Sequence, residues 1–206
     1  MEKAFYIIGV FILLSCTKAR VNNNAFIEAP DSIPNTPSCI VYLQPYNQFS
    51  NKETEAIIPK LREKFDYYLG GTWDFKILPT IKLPNNTYIK SLNRYSAVSI
   101  LDYEKKNRKK ETVIIGLTHE DICANVHGKS NYGIIGLSFL SERVCIVSDK
   151  RLIDKRDLWK PVIHEFMHAF FGLKHCQEDN DSCIMQDGKG KGDFTNKNII
   201  CKSCFN

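Results

Sequence analysis

Between Pro161 and Cys176 the sequence reads PVIHEFMHAFFGLKHC and gathers three of the chain's five histidines. His164 and His168 stand four apart, so on a helix both rings leave one face and can hold one ion. Glu165 is rotated from His164 by roughly 100° about the helix axis, off the metal but near enough to take a proton from a metal-bound water. Neutral imidazoles suit zinc, and three protein ligands leave a fourth position for that water, whose pKa the metal lowers. Gly172 would end such a helix in a left-handed turn and let His175 fold back to the same ion. The competing reading is a core helix with incidental histidines, which Phe166, Met167, Phe170 and Phe171 partly support. The glycine and the third histidine weigh against it.

These residues need a rigid helix and a sheet to hold it. Asp157 is the expected N-cap of that helix, with Pro161 in its first turn, where a missing N–H is harmless. Upstream, residues 39–43 (CIVYL), 73–78 and 112–117 (TVIIGL) read as buried strands, and residues 137–140 and 144–148 as two more. Residues 52–69 carry an apolar helical stripe closed by Gly70 and Gly71, and residues 97–106 read as a second helix. Strands alternating with helices predict an α/β sheet layered with helices. The chain is 43% apolar and 25% charged with a net charge of +5, ordinary for a globular domain. The basic run at 105–110 has no interleaved aromatics, which argues against nucleic acid and for a solvated helix end.

The first residues read as an address. Lys3 precedes an apolar run over residues 4–14 that is short for a permanent membrane span and ends in Leu13-Leu14-Ser15-Cys16. That ending resembles the lipobox of bacterial lipoproteins: residues 1–15 as signal peptide, Cys16 as the lipidated mature N-terminus. An ordinary signal peptide or an uncleaved anchor is the alternative. Residues 16–38, rich in Asn, Pro and Ser, read as a flexible tether, leaving 39–206 as one domain. The expectation is an exported monomer, lipid-anchored to a bacterial cell membrane on its periplasmic or surface face.

Of eight cysteines, Cys16 is set aside for lipid, leaving an odd seven that cannot all pair within the chain. Cys176, Cys183, Cys201 and Cys204 fall in two local groups, the last two as C-x-x-C. Four thiolates so arranged suit a closed tetrahedral zinc site, whereas export would permit two disulfides; spacing alone leaves both open. Cys39, Cys123 and Cys145 lie in or beside apolar segments and read as small buried hydrophobes.

HEFMHAFFGLKHC, CIM and CKSC, in that order, resemble the signature of the archaemetzincins: H-E-x-x-H-x-x-G-x-x-H-C, then C-x-M, then C-x-x-C. VYLQPY, GLTHEDIC and YGIIGLSFLSERVCIVSDKRL extend the resemblance over most of residues 39–206. It implies an α/β (α+β) metzincin-like zincin fold, with a mixed twisted sheet and an antiparallel edge strand above the cleft. It implies two zinc ions: a catalytic one on His164, His168 and His175 with Glu165 as general base, and a structural one on Cys176, Cys183, Cys201 and Cys204. Met185 would form the hydrophobic floor of the histidine site. The chain departs from the pattern by one extra residue before Gly172, which turns a helix by about 100°. A π-bulge near Phe170 or Phe171 would absorb it. Counting from His168, the usual third-ligand position falls on Lys174 rather than His175.

The function expected is zinc-dependent hydrolysis of a peptide or protein substrate lying extended along residues 136–140, through a metal-bound water activated by Glu165. No tyrosine closely follows Met185 to serve as a phenolic oxyanion donor. The alternative is a non-catalytic zinc-binding lipoprotein acting as a peptide-binding or structural module.

Overall fold

A computed structural model of the chain describes residues 39–126, 128–188 and 191–205. The readings of residues 1–38, including the signal segment, Cys16 and the tether, lie outside the described residues.

The chain opens with strand β1 (Cys39–Pro45), helix α1 (Asn51–Leu69) and strand β2 (Trp73–Ile77). Ser50 starts α1 with a capping box: its hydroxyl accepts from the Glu53 N–H at 3.2 Å, and the Glu53 carboxylate accepts from the Ser50 N–H at 2.9 Å. Short strands β3 (Tyr88–Ile89) and β4 (Arg94–Ser96) lead into helix α2 (Ala97–Asn107). Strands β5 (Thr112–Thr118), β6 (Ile122–Val126), β7 (Lys129–Ile134), β8 (Gly136–Phe139) and β9 (Val144–Ser148) precede helix α3 (Trp159–Phe171).

The main sheet runs β2-β1-β5-β9-β8. Its first four strands are parallel, and β8 pairs antiparallel with β9 at the edge. This mixed sheet with an antiparallel edge strand is the one the resemblance implied. Every residue of β5 is buried, as expected of a strand covered on both faces. Val113, Ile115 and Leu117 face the core shared with α1 and α3, together with Cys145 and Val147. Ile114, Val144 and Ile146 face α2. A smaller sheet, β3-β4-β6-β7, forms the remaining layer. Sequence patterning missed it, because its strands are short and β7 (KSNYGI) has no apolar alternation.

Helix α3 divides its faces by chemistry. Phe166 and Phe170, one turn apart, pack into an aromatic cluster with Phe65 of α1 and Trp73 of β2 at ring separations of 4.4–5.4 Å. The aromatics thus serve the core while the histidines occupy another face. Asp157 is not the N-cap: it closes a 3-10 turn, and Leu158 precedes α3 with no side-chain cap. The Asp157 carboxylate instead pairs with buried Lys160 at 2.9 Å. Cys39, Cys123 and Cys145 are 3%, 1% and 0% exposed, in keeping with their reading as buried hydrophobes. Among the described residues no helix is long and apolar enough to cross a membrane.

Candidate metal centre

His164 and His168 lie in the middle and last turn of α3 and point their Nε2 atoms at each other across 3.0 Å. Each ring is oriented through its other nitrogen. His164 Nδ1 lies 2.7 Å from the Ile184 carbonyl oxygen, and His168 Nδ1 meets the Leu173 carbonyl oxygen. A carbonyl can only accept, so Nδ1 carries the proton and the Nε2 lone pairs are left to face one point.

The extra residue is absorbed without a π-bulge. The helix stays α-helical to Phe171, and Gly172 takes the left-handed conformation at φ 69°. Its N–H donates to the His168 carbonyl at 3.0 Å while the Leu173 N–H reaches back to Met167 at 3.4 Å. This paired capping lets the helix end one residue later and turn back. A side chain at Gly172 would also meet the Ser141 hydroxyl at 2.3 Å. The turn delivers His175, whose ring centroid lies 5.2 Å from that of His164 and 4.8 Å from that of His168. One donor atom from each of the three histidines falls within 4.8 Å of the others. Tetrahedral zinc at about 2.05 Å from nitrogen sets donors about 3.3 Å apart, so the set suits such an ion. Lys174 is exposed beside the cleft and stands outside the cluster.

Burial, with the neighbouring imidazoles, holds His164 well below the usual histidine range, and burial pulls His168 down to about 4. Both rings are therefore neutral at pH 7, with no proton to displace before a metal binds. Glu165 is 8% exposed, and burial pushes its carboxyl up to about 8 against a hydrogen bond from Ser138. It nests against Gly136 of β8, where an added Cβ would sit 2.6 Å from Glu165 Cγ. Residues 136–140 were expected to carry the substrate, but not to meet Glu165 through Gly136 and Ser138. A glycine within an apolar strand was the available signal, because it marks a close approach.

The cleft beside these residues has a volume of about 540 Å³. Gly136, Leu137 and Ser138 of the edge strand form one wall; Pro161, Asp187 and Phe194 contribute to the rest. Lys160 holds the Phe194 wall by donating to the carbonyls of Phe194 and Thr195 at 2.7 and 3.2 Å.

Cys176, Cys183, Cys201 and Cys204 form a second cluster of free, buried thiols. Their sulfurs are 3.1 Å (176–201), 3.3 Å (201–204), 3.4 Å (183–201) and 3.6 Å (183–204) apart. A disulfide needs about 2.0 Å. Tetrahedral zinc at about 2.3 Å from sulfur sets them about 3.8 Å apart. The separations are not those of two bridges, and the four sulfurs lie close enough together to hold one ion. A hydrogen bond from the Cys204 thiol draws Cys183 down to about 5 and raises Cys204, favouring a thiolate at Cys183. Met185, two residues on, is fully buried, and its carbonyl accepts from the Cys176 N–H at 2.8 Å.

No family model and no curated protein matches the chain. Solved structures do. Archaemetzincin from Methanopyrus kandleri is similar at 25% identity and TM-score 0.67, covering 84% of this chain and 95% of that one. Archaemetzincin from Archaeoglobus fulgidus, complexed with malonate, is similar at 24% identity and TM-score 0.55, covering 71% and 85%. A zinc-dependent peptidase from Methanocorpusculum labreanum is similar at 21% identity and TM-score 0.59, covering 80% and 97%. With its mixed sheet, its histidine-bearing helix and its C-terminal cysteine cluster, the chain has an archaemetzincin-like fold.

Proposed function

We propose that the chain is a zinc-dependent metallopeptidase that hydrolyses peptide bonds, with Glu165 as general base. The observation that carries this reading is the convergence of three imidazoles beside a buried glutamate, in a cleft walled by an edge strand. The similarity to a zinc-dependent peptidase supports the same class. His164, His168 and His175 would hold a catalytic zinc, and Cys176, Cys183, Cys201 and Cys204 a structural one, with Met185 as floor of the histidine site. Zinc at the histidines would supply a water of lowered pKa and a Lewis acid for the scissile carbonyl.

The chain's own residues do the rest. Strand β8 has a free edge among the described residues and offers its backbone to an extended substrate. Without an ion Glu165 keeps its proton at neutral pH; a dication nearby favours the carboxylate. The carboxylate then takes a proton from the attacking water as the new C–O bond forms. When the C–N bond breaks, Glu165 returns that proton to the leaving amine. Export and lipid anchoring through Cys16 are proposed on the sequence of residues 1–38 alone.

The test is Glu165→Gln against the parent on a mixed peptide library. Loss of turnover with zinc content retained supports the proposal. A zinc-loaded parent that cleaves no peptide points to the non-catalytic zinc-binding module instead.

A further inference from the structure

The two donor clusters share the same short pieces of chain. His175 and Cys176 are consecutive, so the third imidazole and the first sulfur are one peptide apart. The second shared piece is 183–185. The Cys183 sulfur belongs to the cluster, the Ile184 carbonyl orients His164 at 2.7 Å, and the Met185 carbonyl ties down the Cys176 N–H at 2.8 Å. The Ile184 N–H in turn donates to the Ile199 carbonyl at 2.7 Å, two residues before Cys201. Two of the three imidazoles are thus placed by backbone that the sulfurs hold. His168 is the exception, because Leu173 in the helix cap orients it.

Other contacts also hold this backbone: the Asn198 and Ile199 N–H groups donate to the Ser182 carbonyl at 2.9 and 3.2 Å, and the Ile200 N–H donates to the Tyr68 hydroxyl at 3.2 Å. From residue 173 onward, regular structure among the described residues amounts to a bridge between Cys183 and Ile199 and the 3-10 turn Lys202–Phe205. Ile184, Met185 and Ile200 pack into the core, and that packing is the rival explanation for how the segment is held.

We propose that the four cysteines are positioning residues for the histidine centre, so that an ion held by the sulfurs tightens metal binding at the histidines and the two sites fill cooperatively. The inference rests on the metal-binding part of the proposed function and on nothing about substrate. Loss of a group that orients a ligand weakens a metal site by about 10–100-fold. Here His164 loses its oriented ring and His175 its anchored neighbour. Binding linkage is reciprocal, so zinc at the histidines must tighten the cysteine site by the same factor.

The full-length chain, stripped of metal and kept reduced, provides the test. Cadmium, which suits soft thiolates, fills the cysteine cluster and is followed by its thiolate charge-transfer absorption. Zinc is then titrated against a chromophoric chelator, with the cluster loaded and with the cluster disabled by Cys183→Ser. The expected result is a zinc Kd at the histidines at least tenfold weaker in the variant. Because the variant could misfold, cadmium affinity is also measured in the unmutated chain with and without zinc, where the same factor should appear. Histidine-site affinity that stays within twofold, or cadmium affinity indifferent to zinc, overturns the coupling while leaving the metal reading intact. No zinc bound at the histidines of a cadmium-loaded parent overturns both.

Discussion

Replacing Gly136 by alanine probes whether the position of the Glu165 carboxylate governs activity. Gly136 lies outside the left-handed region, so alanine changes sterics rather than backbone strain. The added Cβ would sit 2.6 Å from Glu165 Cγ and 2.7 Å from Oε1; relieving it to an ordinary contact of 3.4 Å moves the side chain by about 0.8 Å. A misplacement near 1 Å costs about 10²-fold in rate, so kcat/KM should fall by roughly 10–100-fold. Overpacking should lower stability by about 1–3 kcal/mol. Gly116→Ala separates the two effects, because its Cβ would meet Glu104 Oε1 at 2.4 Å and Ile146 Cδ1 at 2.5 Å on the α2 side of the sheet. It should lose similar stability and keep kcat/KM within about twofold, since it leaves the geometry that sets the rate untouched. Steady-state cleavage, zinc content and urea unfolding on all three proteins make the comparison. Parent-like kcat/KM in Gly136→Ala, or an equal loss in Gly116→Ala, would refute the reasoning.

In the metal-free protein, the stability gap between Glu165→Gln and the parent should depend on pH. Folding raises the Glu165 pKa from 4.5 to about 8. The parent's advantage from holding that proton is complete below 4.5, is lost as pH rises towards 8, and is constant above it, so the Gln variant gains relative stability across that window. Urea midpoints at stepped pH check this, and a gap independent of pH would contradict it. His175→Ala should lose the zinc of the histidine centre, whereas Lys174→Ala should keep it; metal analysis decides whether the ligand is the residue the helix cap delivers or the one the usual spacing counts. Tyr46→Phe removes the hydroxyl that meets Glu104 Oε1 at 3.2 Å, and Glu104 Oε2 already has no hydrogen-bond partner among the described residues. Burial holds Glu104 well above the ordinary carboxyl range, so the variant should lose about 1–3 kcal/mol in urea unfolding with an unchanged m-value. A loss below about 0.5 kcal/mol would mean the hydroxyl is not supporting that carboxyl.

The parts of this molecule legible in sequence are those where one physical requirement dominates. TVIIGL and VCIVS are buried on both faces, so their uninterrupted apolar character announces β5 and β9. Two histidines four apart announce a shared helix face, and Gly172 announces its end. The small sheet was not legible, because two of its strands have two or three residues and pair through main chain rather than through a side-chain pattern. Asp157 misled because the chain turns once in 3-10 geometry before α3 begins. The π-bulge was unnecessary because a helix can lengthen by one residue when a glycine follows. The carbonyls of Leu173 and Ile184, which set both histidine tautomers, carry no signal in residue type. Only the folded backbone reveals them.

The proposed function requires that the fold hold a metal with His175, not Lys174, as third ligand, beside a second ion among four sulfurs. Crystals of the zinc-loaded chain measured on both sides of the zinc absorption edge test it directly. Two anomalous peaks are expected: one about 2.1 Å from Nε2 of His164 and His168 and from a ring nitrogen of His175, the other about 2.3 Å from four sulfurs. A histidine-site peak lacking His175, or a single peak with the cysteines joined as disulfides, would contradict it.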